Sequence, residues 1–251
     1  MFKSCKDFQL FQHHVQKQSR YVYSHEISEF LNALKETLPS RSRSFPTGSR
    51  CYRSQQGHYE YASENGIEIM GHSPDRMKPT IEYAIEGRAN PKGIPYLYLS
   101  NNRDISMMEL RPHIGETISC GEFIANRDLI LIDCYSVDRT FGNVELIFNP
   151  PKDQAGISQA TWSLINDAFA KPVSNSETTS DYVPTQILAE LFKSEGYDGI
   201  CCKSSFGDGY NYILFDLKSC GQVNTTVMEV ESISMIFQPR SQTIKVSHGN
   251  E

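Results

Sequence analysis

The chain has no apolar run long enough to cross a bilayer. Its first residues, MFKSCKDFQLFQHH, are interrupted by charge too often to form the apolar centre of a signal peptide. These two absences lead to the expectation of a cytoplasmic protein that is not held by a membrane. CxxC pairs are missing as well. The seven cysteines, at positions 5, 51, 120, 134, 201, 202 and 220, are odd in number. That pattern argues against both a zinc site and a disulfide framework, so no metal is expected. There is no GxxxxGK[ST] phosphate loop, no internal repeat and no low-complexity tract. Basic residues are outnumbered, 24 against 30, for a net charge of −6. No broad grip on nucleic acid is expected from that balance, although a local basic patch is compatible with it.

What the sequence does hold is an ordinary globular composition in 251 residues, enough for one sizeable core. The most informative stretch is Gly87 to Pro112, GRANPKGIPYLYLSNNRDISMMELRP. Pro91, Gly93 and Pro95 predict a rigid loop, since proline fixes φ and glycine permits φ > 0. Tyr96 to Ser100 read as a short strand. Asp104 reads as an N-cap and Pro112 as a stop, bracketing a helix of about two turns. On that helix Ile105, Met108, Glu109 and Pro112 share one face. Glu109 is the anomaly, a carboxylate on a stripe expected to point inward, where an unpaired charge is costly. Two readings stay open. Either Glu109 reaches solvent or pairs locally with Arg103 or Arg111, or it is a catalytic or ligand-orienting acid with Arg88 as an anion-binding partner.

The remaining chain supplies the frame. Residues 1 to about 40 predict two amphipathic helices, one carrying Phe8, Phe11 and Val15, the other capped by Ser24 and carrying Ile27, Phe30, Leu31 and Leu34. They are expected to pack on the domain C-terminal to them. SRSRSFPTGSR (40–50) reads as a boundary or linker, and Cys51 to Ser54 as a first strand with Tyr52 and Arg53 on opposite faces. Residues 57–86 read as loop with short elements. Strands are expected at Thr117–Phe123 and Leu129–Asp133, and a helix at Gln154–Phe169 between loop-like NPPKD and KPVSNSETTSDYVP. A second helix spans Val183 to Glu195, with Pro184 in its first turn and Gly196 at its end. YDGICCKSSFGDGYNYILFD then reads as strand, turn, strand, with Ser204 and Ser205 where the first strand ends. Those serines either bind a ligand or cap the turn. Two further strand-like runs are expected within 222–246, with a disordered HGNE tail. Cys51, Cys120, Cys134 and Cys201 fall in strand-like runs and read as small buried hydrophobes. His58, His72 and His113 read as surface or structural.

Taken in order, "RCYRSQQG", "GRANPKGIPYLYLS" with "ISMMELRP", and "YVPTQILAELFKSEGYDGICCKSS…NYILFD" resemble the RES domain family, named for an arginine, a glutamate and a serine. The resemblance runs over roughly residues 48 to 217. It implies three parts: a helical N-terminal extension (1–47), a RES domain (48–217), and C-terminal strands completing it with a tail (218–251). It further implies an α+β fold with a mixed, bent β core like that of ADP-ribosyltransferases. The implied activity is consumption of NAD+ as substrate, by hydrolysis or phosphorolysis of the nicotinamide–ribose bond. The alternatives are ADP-ribosyl transfer to a protein or nucleic acid, or a catalytically silent binding module. The best-known members are toxins of RES–Xre modules, so a separate antitoxin or regulatory protein is an implied partner; homo-oligomerisation is left open. By the resemblance the family residues fall at Arg53 or Arg50 with Tyr52 beside them, Arg88, Tyr98, Glu109, and Ser204 or Ser205. On this reading Glu109 holds the ribose hydroxyls, Arg88 and Arg53 the pyrophosphate, Tyr52 and Tyr98 the nicotinamide, and Ser204 orients the amide or ribose.

Overall fold

The chain is described here by a computed structural model covering residues 1–135, 146, 148–171 and 179–234. Two helices open it, α1 (Asp7–Lys17) and α2 (His25–Thr37), burying the residues their spacing predicts. The Ser24 hydroxyl accepts the Ile27 amide hydrogen at 3.3 Å and so caps α2. Phe30 meets Phe11 at 5.3 Å and Phe8 at 6.3 Å between ring centroids, which locks the two helices together. Each such ring contributes about 2 kcal/mol by burial.

Segment 40–50 is not a linker. It supplies strand β1 (Ser42–Phe45), which forms one edge of the main sheet. Phe45 turns inward against Tyr212 at 4.9 Å, while Arg43 pairs with Asp133 at 3.2 Å and covers the Tyr210 ring. An edge strand of four residues with one inward side chain carries too little alternation to read from sequence.

Strand β2 (Arg50–Gln56) follows as expected. Residues 57–86 contain a hairpin of β3 (Tyr59–Ser63) and β4 (Gly66–Met70), then a single turn, α3 (Pro74–Met77). Nearly every hairpin residue is exposed, so no buried stripe marks it in the sequence. After it come β5 (Leu97–Ser100), α4 (Arg103–Met108), β6 (Thr117–Ala125) and β7 (Leu129–Asp133). The last group is α5 (Gln154–Ala170), α6 (Val183–Ser194), β8 (Gly199–Lys203), β9 (Tyr210–Leu214) and β10 (Cys220–Glu229). The second strand-like run and the tail expected near the C-terminus lie outside the described residues, as does most of KPVSNSETTSDYVP.

The main sheet has eight strands in the order β1-β7-β8-β9-β5-β2-β6-β10. Only β7 and β8 run parallel, and α5 and α6 lie in the long crossover that a parallel pair requires. Alternation sends neighbouring residues into two cores. Leu131, Cys201 and Leu214 join Phe45, Leu97, Leu99 and Phe123 on one face. Ile132, Cys202 and Ile213 lie on the other, under Trp162, Phe192 and the N-terminal phenylalanines. The fold is therefore α+β, a mixed sheet with most of its helices on one side.

Register then fixes a transverse row. Cys202, Asn211, Ser100, Tyr52, Glu122 and Asn224 are successive partners across β8, β9, β5, β2, β6 and β10. Directly opposed residues share a face, so all six belong to the helix-bearing side. Strands β2 and β5 pair only at Tyr52 and Ser100 and diverge from there.

Candidate active site

A cleft of about 630 Å³ opens over the middle of this row, with Tyr52, Ser100, Asn211 and Cys202 among its walls. That volume is typical of small-molecule and cofactor sites. Helix α4 closes one side, because its Ser106 hydroxyl bonds the Ser54 hydroxyl of β2. The cap of α4 is Asn102, not Asp104: the Asn102 side chain accepts from the amides of Asp104 at 2.7 Å and Ile105 at 3.3 Å. Ile105 and Ser106 are its buried residues, and Met108 is exposed. The helix ends four residues before Pro112, too early for the inward stripe expected from sequence. Glu109 is accordingly no buried carboxylate. It is an exposed group at the helix end, standing against the cleft.

Two donors converge on a single oxygen of Glu109. The Ser204 hydroxyl donates to Oε1 at 3.0 Å, and the Asn211 amide donates to the same atom at 2.6 Å. Oε2 has no partner among the described residues. The Ser204 hydroxyl also accepts the Phe206 amide hydrogen at 3.0 Å, and Asn211 Oδ1 accepts from the Ser100 hydroxyl at 2.6 Å. Ser204 is 2% exposed, so it touches Glu109 and not the open cleft. Ser205 faces elsewhere, donating its hydroxyl to the Ala170 carbonyl, and does line the cleft.

Arg88 lines the cleft from a loop that three side chains hold in place. Thr185 at the start of α6 donates to the Arg88 carbonyl, and Gln186 donates to the carbonyls of Gly87 at 2.9 Å and Asn90 at 3.1 Å. Tyr98 completes the grip: its hydroxyl accepts from the Ala89 amide at 3.1 Å and donates to Asn90 Oδ1 at 2.8 Å. A Cβ on Gly87 would stand 2.9 Å from that hydroxyl, which is why glycine occupies the position. The Arg88 guanidinium lies 5.3 Å from the Tyr182 ring centre and donates to the Ala168 carbonyl at 3.3 Å. Burial pushes the Tyr98 phenol up, as expected of a group locked into structure.

Arg53 and Arg50 separate clearly. Arg53 reaches into the split between β2 and β5, donating to the carbonyls of Met77 at 2.7 Å and Tyr98 at 3.0 Å. Desolvation pushes its pKa down to about 10, with Arg76 nearby adding to the effect and Tyr98 opposing it. It stays a cation at neutral pH, and no carboxylate among the described residues pairs with it. Arg50 is not brought to the cleft; it pairs with Glu122 farther along the row. Tyr52 lies on the cleft side of β2, opposite in face to Arg53, as alternation predicts.

Among the described residues the cleft wall carries Arg53, Arg76, Arg88, Arg111 and Lys171 against one carboxylate, Glu109. Arg111 is the single non-glycine residue with positive φ among those described, at 51°. Cys202 is buried, and desolvation first, then the charges of Cys201 and Glu109, push its thiol up, which disfavours a nucleophilic thiolate. All seven cysteines are free and buried. His58, His72 and His113 do not line this cleft. His58 bonds Thr117 and Glu60, and His72 bonds the Gln56 carbonyl. Among the described residues no His, Cys, Asp and Glu group is arranged to hold a metal ion, and no helix is long and apolar enough to cross a membrane. Sequence reasoning missed Asn211; its only trace was a polar residue at an alternating position with Ile213, inside an otherwise apolar strand.

Such an arrangement suits a small polyanion. Guanidinium forks match phosphate oxygens, and one clamped carboxylate leaves an oxygen to take a hydroxyl or face a developing cation. Comparison with known proteins adds three findings. A family model described as "RES domain" matches residues 50–235. None of the curated proteins matches. Among solved structures, the crystal structure of the M. tuberculosis MbcT–MbcA toxin–antitoxin complex contains a similar chain at 13% identity and TM-score 0.44, over 78% of this chain and 92% of that one.

Proposed function

The chain belongs to the RES domain family, and from that premise we propose that it consumes NAD+ by cleaving the bond between nicotinamide and ribose. The observation that carries the reading is the half-held carboxylate of Glu109 beside a cleft otherwise rich in cations. In such a cleavage the electron pair of the C–N bond goes to the pyridinium nitrogen, so nicotinamide leaves neutral and needs no proton. The ribose carbon left behind is oxocarbenium-like, the species that glycosidases stabilise with carboxylates. Glu109 Oε2 would bond a hydroxyl of the nicotinamide ribose and support the positive charge as it develops. Arg53 and Arg88 would hold the pyrophosphate, and Tyr52 would stack on the nicotinamide. Tyr98 acts through the Arg88 loop that its hydroxyl holds, and Ser204 acts through Glu109. Water or phosphate then adds to the ribose carbon; water gives up a proton as it does so. A toxin role, with a separate antitoxin or regulatory partner, is part of this proposal and rests on the family alone.

The test is NAD+ turnover by the purified protein with and without phosphate, beside Glu109→Ala and Arg88→Ala. NAD+ loss with matching nicotinamide release, gone in both variants, is the expected result, and phosphate dependence names the acceptor. NAD+ loss accompanied by labelling of a macromolecule would replace hydrolysis or phosphorolysis with ADP-ribosyl transfer. A folded wild type without turnover would overturn the enzymatic reading.

A further inference from the structure

We propose that Asn211 is a positioning residue for Glu109, one that fixes which carboxylate oxygen meets the substrate; the catalytic part of this rests on the function proposed above. A carboxylate only accepts hydrogen bonds, so the amide nitrogen of Asn211 must be the atom that faces Glu109 Oε1. Its carbonyl oxygen then faces the Ser100 hydroxyl, which donates to it at 2.6 Å. The amide is thus oriented by Ser100 at its carbonyl end, and that hold is built into the sheet, since Asn211 and Ser100 are direct partners across β9 and β5. Glu109 itself sits one residue past a short helix, in a place with little packing of its own. Without Asn211, only the Ser204 hydroxyl would restrain the carboxylate, leaving it free to swing about that single contact. The two donors share Oε1, so the device presents Oε2 to the cleft. Preorganisation of this kind acts on the transition state more than on substrate affinity.

Three variants test the link: Asn211→Ala, Asn211→Asp and Ser100→Ala, each checked for an unchanged melting profile. In Asn211→Ala, kcat for NAD+ loss is expected to fall about 100-fold with KM little changed. In Asn211→Asp a second carboxylate is pressed against Glu109, and two such groups in contact do not both ionise. Its pH–rate profile should therefore lose the acid limb at higher pH than wild type. The other titratable neighbours are Cys202 of β8, whose thiol burial pushes up, and the cleft residues Arg53, Arg76, Arg88, Arg111 and Lys171. Ser100→Ala should show a smaller kcat loss, because it frees the amide without removing it.

Carbon-13 titration of the Glu109 carboxyl gives a readout that needs no substrate. It should move to higher pH in Asn211→Asp relative to wild type. A wild-type kcat in Asn211→Ala, or an unmoved Glu109 titration in Asn211→Asp, would overturn the proposal. If wild type turns over no NAD+, the reading of the reaction falls while the carboxyl titration still decides whether Asn211 governs Glu109.

Discussion

Glu109 and Glu122 stand at two points along the same face of one sheet, and each is held by an asparagine amide at 2.6 Å. They differ in how their oxygens are used. Arg50 takes Oε1 of Glu122 and Asn224 takes Oε2, so both oxygens are spent and the group is finished as a structural pair. At Glu109 both donors crowd onto Oε1, and Oε2 is left to the cleft. Glu122 also has a cation of its own, whereas none of the described cleft cations forms an ion pair with Glu109; Arg53 bonds the carbonyls of Met77 and Tyr98, and Arg88 lies against the Tyr182 ring. A carboxylate with a complete set of partners stabilises the fold; one with half a set, on a cleft that also carries the desolvated Arg53, is equipped to complete itself with a ligand.

The contrast is sharpest where the two groups are neutralised without change of shape. Glu109→Gln should cut NAD+ consumption on the order of 10²- to 10³-fold while leaving the melting temperature near wild type. Next in size is Arg53→Met, which keeps the length and removes the fork: KM for NAD+ should rise about 10- to 100-fold, the worth of charged hydrogen bonds to phosphate. A wild-type KM there would show that the guanidinium in the strand split serves only the carbonyls of Met77 and Tyr98. Ser204→Ala removes one of two donors and should cost about tenfold in kcat. The smallest effect belongs to Glu122→Gln, read as thermal melting against pH. The Asn224 amide, then Arg50, hold the Glu122 carboxyl below its ordinary range. A lowered pKa contributes stability that is present above the unfolded value and is lost as pH falls through the folded one. The variant should thus melt slightly earlier than wild type at pH 7, by no more than about 1 kcal/mol of stability, with the gap closing in acid. Its NAD+ turnover should be that of wild type; an activity loss matching Glu109→Gln would break the comparison outright.

Much of the frame was legible because burial imposes period. The faces of α1 and α2, the long helix α5, the proline-started α6 and the runs of β6 to β9 all carry apolar spacing strong enough to place them within a residue or two. Elements lacking an inward stripe were lost: β1 with its single inward phenylalanine, and the exposed hairpin β3–β4. The site divides in the same way. Glu109 and Arg88 were singled out by residue type and place, and Arg53 or Arg50 and Ser204 or Ser205 by the family resemblance. Where Arg50 and Arg53, or Ser204 and Ser205, would stand was not open to sequence, because neighbours on a chain are told apart only by what stands opposite them: Arg53 and Ser205 line the cleft, Arg50 meets Glu122 and Ser204 meets Glu109.

The motifs along the chain resemble the RES family, to which a family model over residues 50–235 assigns it, and the amphipathic spacing points to an α+β domain. Apolar spacing places the elements and the resemblance of the ordered motifs points to the family, since both are written along the chain. It took the folded chain to show that Glu109 is exposed at a helix end, that Asn211 and Ser204 share one of its oxygens, and that Arg50 is spent on Glu122. Those facts depend on register between strands far apart in sequence, where Asn211 meets Ser100 and Tyr52 meets Glu122. Pairing across a sheet is a property of the packed whole, and no single stretch of residues contains it.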